Sequence, residues 1–339
     1  MPPENLVLGG QLENAVSIVT SQDVAARQTS YGKNRSGRKR SAAAITNNIH
    51  MKHQLAKILV AAGCLCAASL SLPATPIPDD CRIGGYALGC QAWTFKEFTV
   101  MDAIDKTAAA GGKVIEFYPG QKFSADKPDL KFDHNATDEM IAAVKERLQL
   151  RGVRAVNYGV VGIPKDEAGA RKIFEFAKKF QLYGITTESV DALDTIEKLV
   201  KEYDIRVGFH NHPRRANDPN YKMWDPNYVL SVVKGRDPRI GSTADVGHWV
   251  RSGLDPVACL KILKGRVISC HLKDLNEKSP DAHDVPFGTG VSGIPGILTE
   301  LKHQKFAGNL SIEYEYNWKA SDLDVAQCIG FVRGWTTQK

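Results

Sequence analysis

Six polar residues stand at the ends of three short apolar runs in the last third of the chain. STADVGHW carries Asp245 and His248, SCHLKD carries His271 and Asp274, and SIEYEY carries Glu313 and Glu315. Carboxylate and imidazole donors in such a mixture suit a divalent metal of intermediate hardness, so Asp245, His271 and Glu313 predict a site for one Mn²⁺, Co²⁺, Zn²⁺ or Fe²⁺ ion. Acids buried in this number are costly unless they are paired or bound to a cation. A further ligand has two candidate sources. Glu188 ends the run TTES, and His212 stands in FHNHP, where period-two spacing lets it share the interior face with His210 while Asn211 turns away. Five ligands are also compatible with the set.

Around that core the sequence offers groups for a substrate. His248 follows Asp245 by three residues and would reach a hydroxyl or carbonyl. Lys273 shares a strand face with His271 and suits an oxyanion or hydroxyl, and Asp274 would cap the turn or pair with Lys273. Trp93, Glu116 and Asn157 end earlier apolar runs. Asp281 and His283 lie in the glycine-bearing loop DAHDVPFGTG. Trp93, Tyr118, Tyr158, Trp249, Tyr314, Tyr316 and Trp318 could stack on the apolar face of a sugar or simply pack the fold. A metal that binds two neighbouring oxygens of a hydroxy-ketone acidifies the proton alpha to the carbonyl and holds the enediolate. Flanking carboxylates, Glu188 and Glu313, would then serve as base and acid. The outcomes of such chemistry are isomerisation, epimerisation, or elimination and hydration. The sequence has no Ser–His–Asp spelling, HExxH or phosphate-binding P-loop.

These side chains converge only if their strands stand side by side. The runs YALGCQAWTF, KVIEFYP, VRAVNYGVV, YGITTES, IRVGFHNHP, IGSTADVGHW, VISCHLKD and LSIEYEYNW alternate with amphipathic stretches. Helices are predicted at roughly 100–110, 137–149, 166–180, 191–203, 226–235, 255–263, 295–304 and 321–333 from their apolar periodicity. Strict alternation calls for parallel strands covered by helices, and eight units predict an α/β fold of the (β/α)8 TIM-barrel type. An open doubly wound sheet would be expected to carry a glycine-rich loop after its first strand, and ALGCQAWTF is not one. The barrel is expected over 84–335, after a linker at 75–83.

The N-terminus reads differently. Residues 1–50 are polar, lack periodicity, and read as a disordered or mis-assigned extension. From Met51 a basic start, an apolar stretch and a small, proline-rich exit near Ala74 have the layout of a secretory signal at 51–74, too short for a confident membrane span. Export to a periplasm is therefore expected, with lipid anchoring through Cys64 as the lesser alternative. Eight Lys or Arg against three acids up to Ala74 place +5 of the formal +6 there, so the rest is nearly neutral and no nucleic-acid partner is expected. Seven cysteines show no metal spacing; Cys81 and Cys90 could pair in an oxidising compartment. The expected partner is a small carbohydrate, and homo-oligomerisation is left open.

The motifs FHNHP, ADVGHWVRSG, CHLKDLNE, HDVPFGTG and SIEYEYNW make residues 84–335 resemble the sugar phosphate isomerase/epimerase superfamily of xylose isomerase-like TIM barrels. That group includes ketose 3-epimerases, inosose dehydratase and endonuclease IV-type enzymes. The resemblance implies metal ligation by Asp245, His271 and Glu313, and places the histidine of the epimerases' D-x-x-H motif on His248. The chain departs from the epimerase pattern on the fifth strand, where histidine replaces a catalytic glutamate. His210 in that role resembles the dehydratase-like and hydratase-like branches. Enzymes of that kind act on 3-keto sugars or their glycosides by elimination or hydration. Catalytic expectations thus cover Glu188, His210, His248, Lys273 and Glu313. An endonuclease reading lacks the additional early histidines of that branch.

Overall fold

The computed structural model describes residues 76–338 of the chain. The extension, the signal segment and Cys64 lie outside them. The eight apolar runs form β1 (Ala87–Gln91), β2 (Val114–Phe117), β3 (Arg154–Tyr158), β4 (Gly184–Thr187), β5 (Arg206–His210), β6 (Ile240–Asp245), β7 (Val267–Leu272) and β8 (Asn309–Ile312). Each is parallel to the next, and β1 pairs with β8 from Ala87↔Asn309 to Cys90↔Ile312, which closes the barrel. Closure leaves no exposed sheet edge and brings all strand C-termini to one rim.

The helices are α1 (Val100–Ala109), α2 (Asp138–Arg151), α3 (Glu167–Lys179), α4 (Leu193–Tyr203), α5 (Pro226–Val233), α6 (Val246–Arg251), α7 (Pro256–Ile262), α8 (Ile294–His303) and α9 (Asp322–Thr337). Their boundaries follow from capping chemistry. Thr99 and Asp102 form a reciprocal capping box at α1. Asp166 accepts the Gly169 N–H to open α3, and Gly152 ends α2 in the left-handed region at φ 62°. In α3, Ala170, Ile173, Phe174, Phe176 and Ala177 face inward at helical spacing. Phe176 meets Tyr158, Phe132 and Phe180 in an aromatic cluster. Burying each such ring contributes about 2–3 kcal/mol. No helix of the described residues is long and apolar enough to cross a membrane.

Two predicted strands run too far. STADVGHW leaves the sheet at Asp245 and turns into the short helix α6, because the Asp245 side chain caps the His248 N–H at 2.7 Å. LSIEYEYNW stops pairing at Ile312. The suggested disulfide is not formed: Cys90 lies buried in β1, Cys81 is half-buried before it, and both are free thiols.

Candidate active site and metal centre

Register sets the level of each donor. Asp245 and His271 are direct partners on β6 and β7, and Ser311 stands opposite His271 on β8, two residues before Glu313. His210 is the last residue of β5, opposite Thr243. The outcome is a tight group. Donor atoms of His210, Asp245, His248 and Glu313 all lie within 4.8 Å of one another. His271 Nδ1 adds to it, 3.2 Å from Glu313 Oε2 and 3.8 Å from Asp245 Oδ2.

Asp245 divides its labour between two oxygens. Oδ1 caps α6, while Oδ2 is buried 3.7 Å from His210 Nε2 and 3.7 Å from His248 Nε2. Asn211 clamps the backbone, accepting the Asp245 N–H and donating to its carbonyl, both at 2.9 Å. Sequence alternation had turned Asn211 away; the strand ends one residue earlier, so alternation no longer applies.

Asp245 Oδ2, His210 Nε2 and both ring nitrogens of His271 are buried and make no hydrogen bond of good geometry among the described residues. Their close neighbours are charged groups, Lys273 Nζ 3.2 Å from Asp245 Oδ2 and the carboxylates of Glu313 and Glu116 3.2 and 3.1 Å from His271 Nδ1 and Nε2. Buried polar atoms of this kind require an explanation, and a cation among them supplies one. The donor set therefore fits a divalent metal, which His210, Asp245, His271 and Glu313 would hold. Metal ligation requires unprotonated imidazole nitrogens and ionised carboxylates.

The resident cation is Lys273. Its Nζ lies 3.2 Å from Asp245 Oδ2, 2.8 Å from Glu313 Oε2 and 2.6 Å from Glu315 Oε2. Burial opposes its charge, but these carboxylates hold its pKa well above the usual lysine range. Burial likewise opposes ionisation of Asp245 and Glu313, and Lys273 with the nearby imidazoles holds both well below the usual carboxylate range. His248 goes the other way: burial, aided by Lys273, pushes its pKa well down. For His271 burial is outweighed by Glu116 and Glu313, which raise it. Gly247 lets Lys273 pass, since a Cβ there would stand 2.7 Å from the lysine side chain.

Glu188 and His212 form a second group beyond His210. Their side chains are hydrogen-bonded, and Tyr221 donates to Glu188 Oε1 at 3.1 Å. His210 Nδ1 lies 3.4 Å from the same oxygen, so the His210 ring joins the two groups. Burial opposes the charge on Glu188, but the two histidines hold its pKa low. The two residues expected to supply the further ligand, Glu188 and His212, form a donor group of their own with His210, and it is His210 that the structure brings up to Asp245 and Glu313.

A cavity of about 280 Å³ opens over the site, lined among others by Trp93, Tyr118, His210, His212, His248, Glu313 and Glu315. Trp93 and Tyr118 meet edge to face at 5.0 Å on one wall. Glu116 and Asn157 do not face this space. Glu116 is fully buried below His271, 3.1 Å from its Nε2, and accepts from Thr186, Ser311 and Asn309 at 2.9, 2.8 and 3.2 Å. Asn157 is buried beside Asn309 and accepts the Tyr158 N–H. Glu116 thus supports His271 from within the barrel, and Asn157 packs beside its partner Asn309, a placement that alternation alone did not reveal. Lys273 is likewise enclosed by carboxylates. His283 lies tilted against Tyr316 with ring centroids 4.3 Å apart, and Asp281 is exposed. Asp274 pairs with the loop rather than with Lys273, accepting N–H groups of Gly288, Gly290 and Ser292 at 2.8, 3.0 and 2.9 Å.

Sequence reading missed Arg251 and Asp284. Arg251 is partly buried, binds Asp284 and Glu315 at 3.1 Å each, and touches His248 Nδ1 at 3.1 Å. Its one signal was an arginine three residues after the histidine in GHWVR.

A family model described as xylose isomerase-like TIM barrel matches residues 183–333. Inosose dehydratase from Bacillus cereus (strain AH820) is 26% identical over 142 residues, 37% of this chain and 45% of that protein, so the match spans under half of the curated relative. A crystal structure of an uncharacterized protein from Parabacteroides distasonis ATCC 8503 is 31% identical, covers 74% of this chain and 99% of its own, and superimposes with a TM-score of 0.59. D-allulose 3-epimerase from Methylomonas sp., solved with D-allulose, shares the fold at 15% identity, covering 73% of this chain and 96% of its own with a TM-score of 0.56. With its closed barrel and its His, Asp and Glu donors at the strand ends, the chain belongs to the xylose isomerase-like TIM-barrel family.

Proposed function

We propose that the protein is a divalent-metal-dependent enzyme that moves the proton alpha to the carbonyl of an unphosphorylated keto sugar, as an isomerase or epimerase. The observation that carries this reading is the buried group of His210, Asp245, His248 and Glu313 donor atoms within 4.8 Å of one another, set beneath a cavity walled in part by Trp93 and Tyr118. When bound, a divalent metal supplies Lewis-acid polarisation and stabilises negative charge developing on oxygen. The protein's own groups do the rest. Glu313 lines the cavity and is ionised beside Lys273, so its carboxylate is in the form that can accept a proton. His212 also lines the cavity and is hydrogen-bonded to Glu188, an arrangement that can relay a proton. Trp93 and Tyr118 would hold the apolar face of the ring and exclude water.

A second reading is elimination or hydration on a 3-keto glycoside or 2-hydroxyglycal. Histidine at the end of β5 leaves Glu313 as the carboxylate of the tight group besides Asp245, which favours this chemistry over a two-glutamate exchange. The partial match to a dehydratase points the same way. Metal-loaded protein incubated with 3-keto-glucose, a 3-keto-glucoside and a free ketose in D₂O tests both readings by NMR. Deuterium alpha to the carbonyl with a new epimer is the expected result; aglycone release or glycal turnover would move the assignment to the lyases and hydratases. Bound metal with no exchange on any keto sugar would sink the proposal and favour a carbohydrate-binding barrel. Export by the Met51–Ala74 segment is proposed alongside, and N-terminal sequencing of the mature protein checks it.

A further inference from the structure

We infer that Arg251 is a positioning residue that locks His248 in the tautomer carrying its proton on Nε2. The guanidinium of arginine has only donors, so the 3.1 Å contact from Arg251 Nη1 makes His248 Nδ1 an acceptor. An imidazole whose Nδ1 accepts is not the doubly protonated form, and its single proton must then reside on Nε2. Arg251 has little freedom to release that nitrogen. Its other bonds run to Ala282 O, Glu315 Oε2 and Asp284 Oδ2, all at 3.1 Å, and its side chain is 10% exposed. The His248 ring is also stacked on His212, with centroids 5.1 Å apart and planes at 27°. Rotation that would exchange the two nitrogens has to break both constraints.

Proximity alone would count His248 with the metal donors, since its nitrogen lies within 4.8 Å of those of His210, Asp245 and Glu313. The tautomer removes it from that set. A protonated Nε2 has no lone pair to give a metal and cannot accept a proton, so His248 is neither ligand nor base. It presents a hydrogen-bond donor to the cavity. Resting on the keto-sugar reading, that donor would meet an acceptor oxygen, a carbonyl or the oxyanion it becomes, as a preorganised group.

Long-range proton–nitrogen NMR on full-length protein labelled with ¹⁵N-histidine tests the inference, with His248→Asn to assign the signal. The expected His248 signature is a protonated Nε2 and a bare Nδ1, both in metal-free protein and after addition of Zn²⁺ alone. In Arg251→Met the two nitrogens should move toward the average of exchanging tautomers, and Arg251→Lys should restore part of the difference. A proton on Nδ1 of the wild type, an Nε2 coordinated by Zn²⁺, or an unchanged signal in folded Arg251→Met would each overturn the inference. The wild-type spectrum decides the matter even if Arg251→Met does not fold. No sugar enters this experiment, so its outcome is separate from that of the exchange test.

Discussion

One carboxylate illustrates how closely the residue types are set by position. Asp245 caps α6 with Oδ1 and turns Oδ2 toward Lys273 Nζ and the site histidines, so its removal affects both folding and the charge balance of the site. Glu116 acts one layer lower. It stands 3.1 Å from His271 Nε2, and partners of this kind orient a metal-binding histidine. Glu116→Gln should therefore weaken Mn²⁺ binding by about 10–100-fold, measured by calorimetric titration. An unchanged affinity would leave Glu116 with barrel packing alone. Asp284 makes a pH prediction. Burial pushes its pKa up to about 7 in spite of Lys273 and Arg251. The folded state then binds a proton that the unfolded state releases above pH ~4, so this group loses stabilising effect as pH rises toward 7. The stability of the wild type relative to Asp284→Asn should fall over that interval, with a slope of up to about 1.4 kcal/mol per pH unit. Denaturant curves from pH 5 to 8 check the sign; a rising difference would contradict it.

Among elements, the β6–α6 junction and the loop after β7 determine the site. The sharp exit at Asp245 puts His248 and Arg251 one helical turn apart on the same face, which is how arginine reaches the imidazole. The loop from Pro286 to Ser292 hangs on Asp274, whose two oxygens accept three backbone N–H groups. Glycine is required there: a Cβ on Gly290 would lie 2.5 Å from Asp274 Oδ1. Asp274→Ala strands those donors and should cost about 3 kcal/mol in urea unfolding. It should also speed proteolysis within 281–290. Wild-type stability and cleavage rate in the variant would show that solvent satisfies the loop.

For the whole molecule, closure of the sheet is what makes a site from residues over 100 positions apart, such as Glu188 and Glu313. Candidate ligands from β5, β6, β7 and the segment after β8 meet only in the folded barrel, so a metal held by them would bind the native state and stabilise it by mass action. At a free concentration 100-fold above Kd the gain is about 2.7 kcal/mol. Thermal unfolding of chelated protein should shift upward on adding Mn²⁺, Co²⁺, Zn²⁺ or Fe²⁺. No shift with any of the four would count against a metal centre.

The alternation of eight apolar runs with amphipathic stretches determined the barrel by itself, because each run must bury both faces and each stretch must cover one. The same spacing was enough to put Asp245, His271 and Glu313 at adjacent strand ends, since strand order follows chain order in this fold. Strand ends were not legible in that way. Whether STADVGHW stays in the sheet depends on an aspartate capping a helix, and only the structure shows that it does. Which donors meet was also decided in three dimensions: His210 over Glu188, Glu116 beneath His271, Lys273 among three carboxylates. The Arg251 contact with His248 and the Asn211 clamp on Asp245 have the same origin. Hydrophobic periodicity reports which face a residue occupies, whereas depth within the barrel and the pairing of buried charges depend on register and closure, which no single segment encodes.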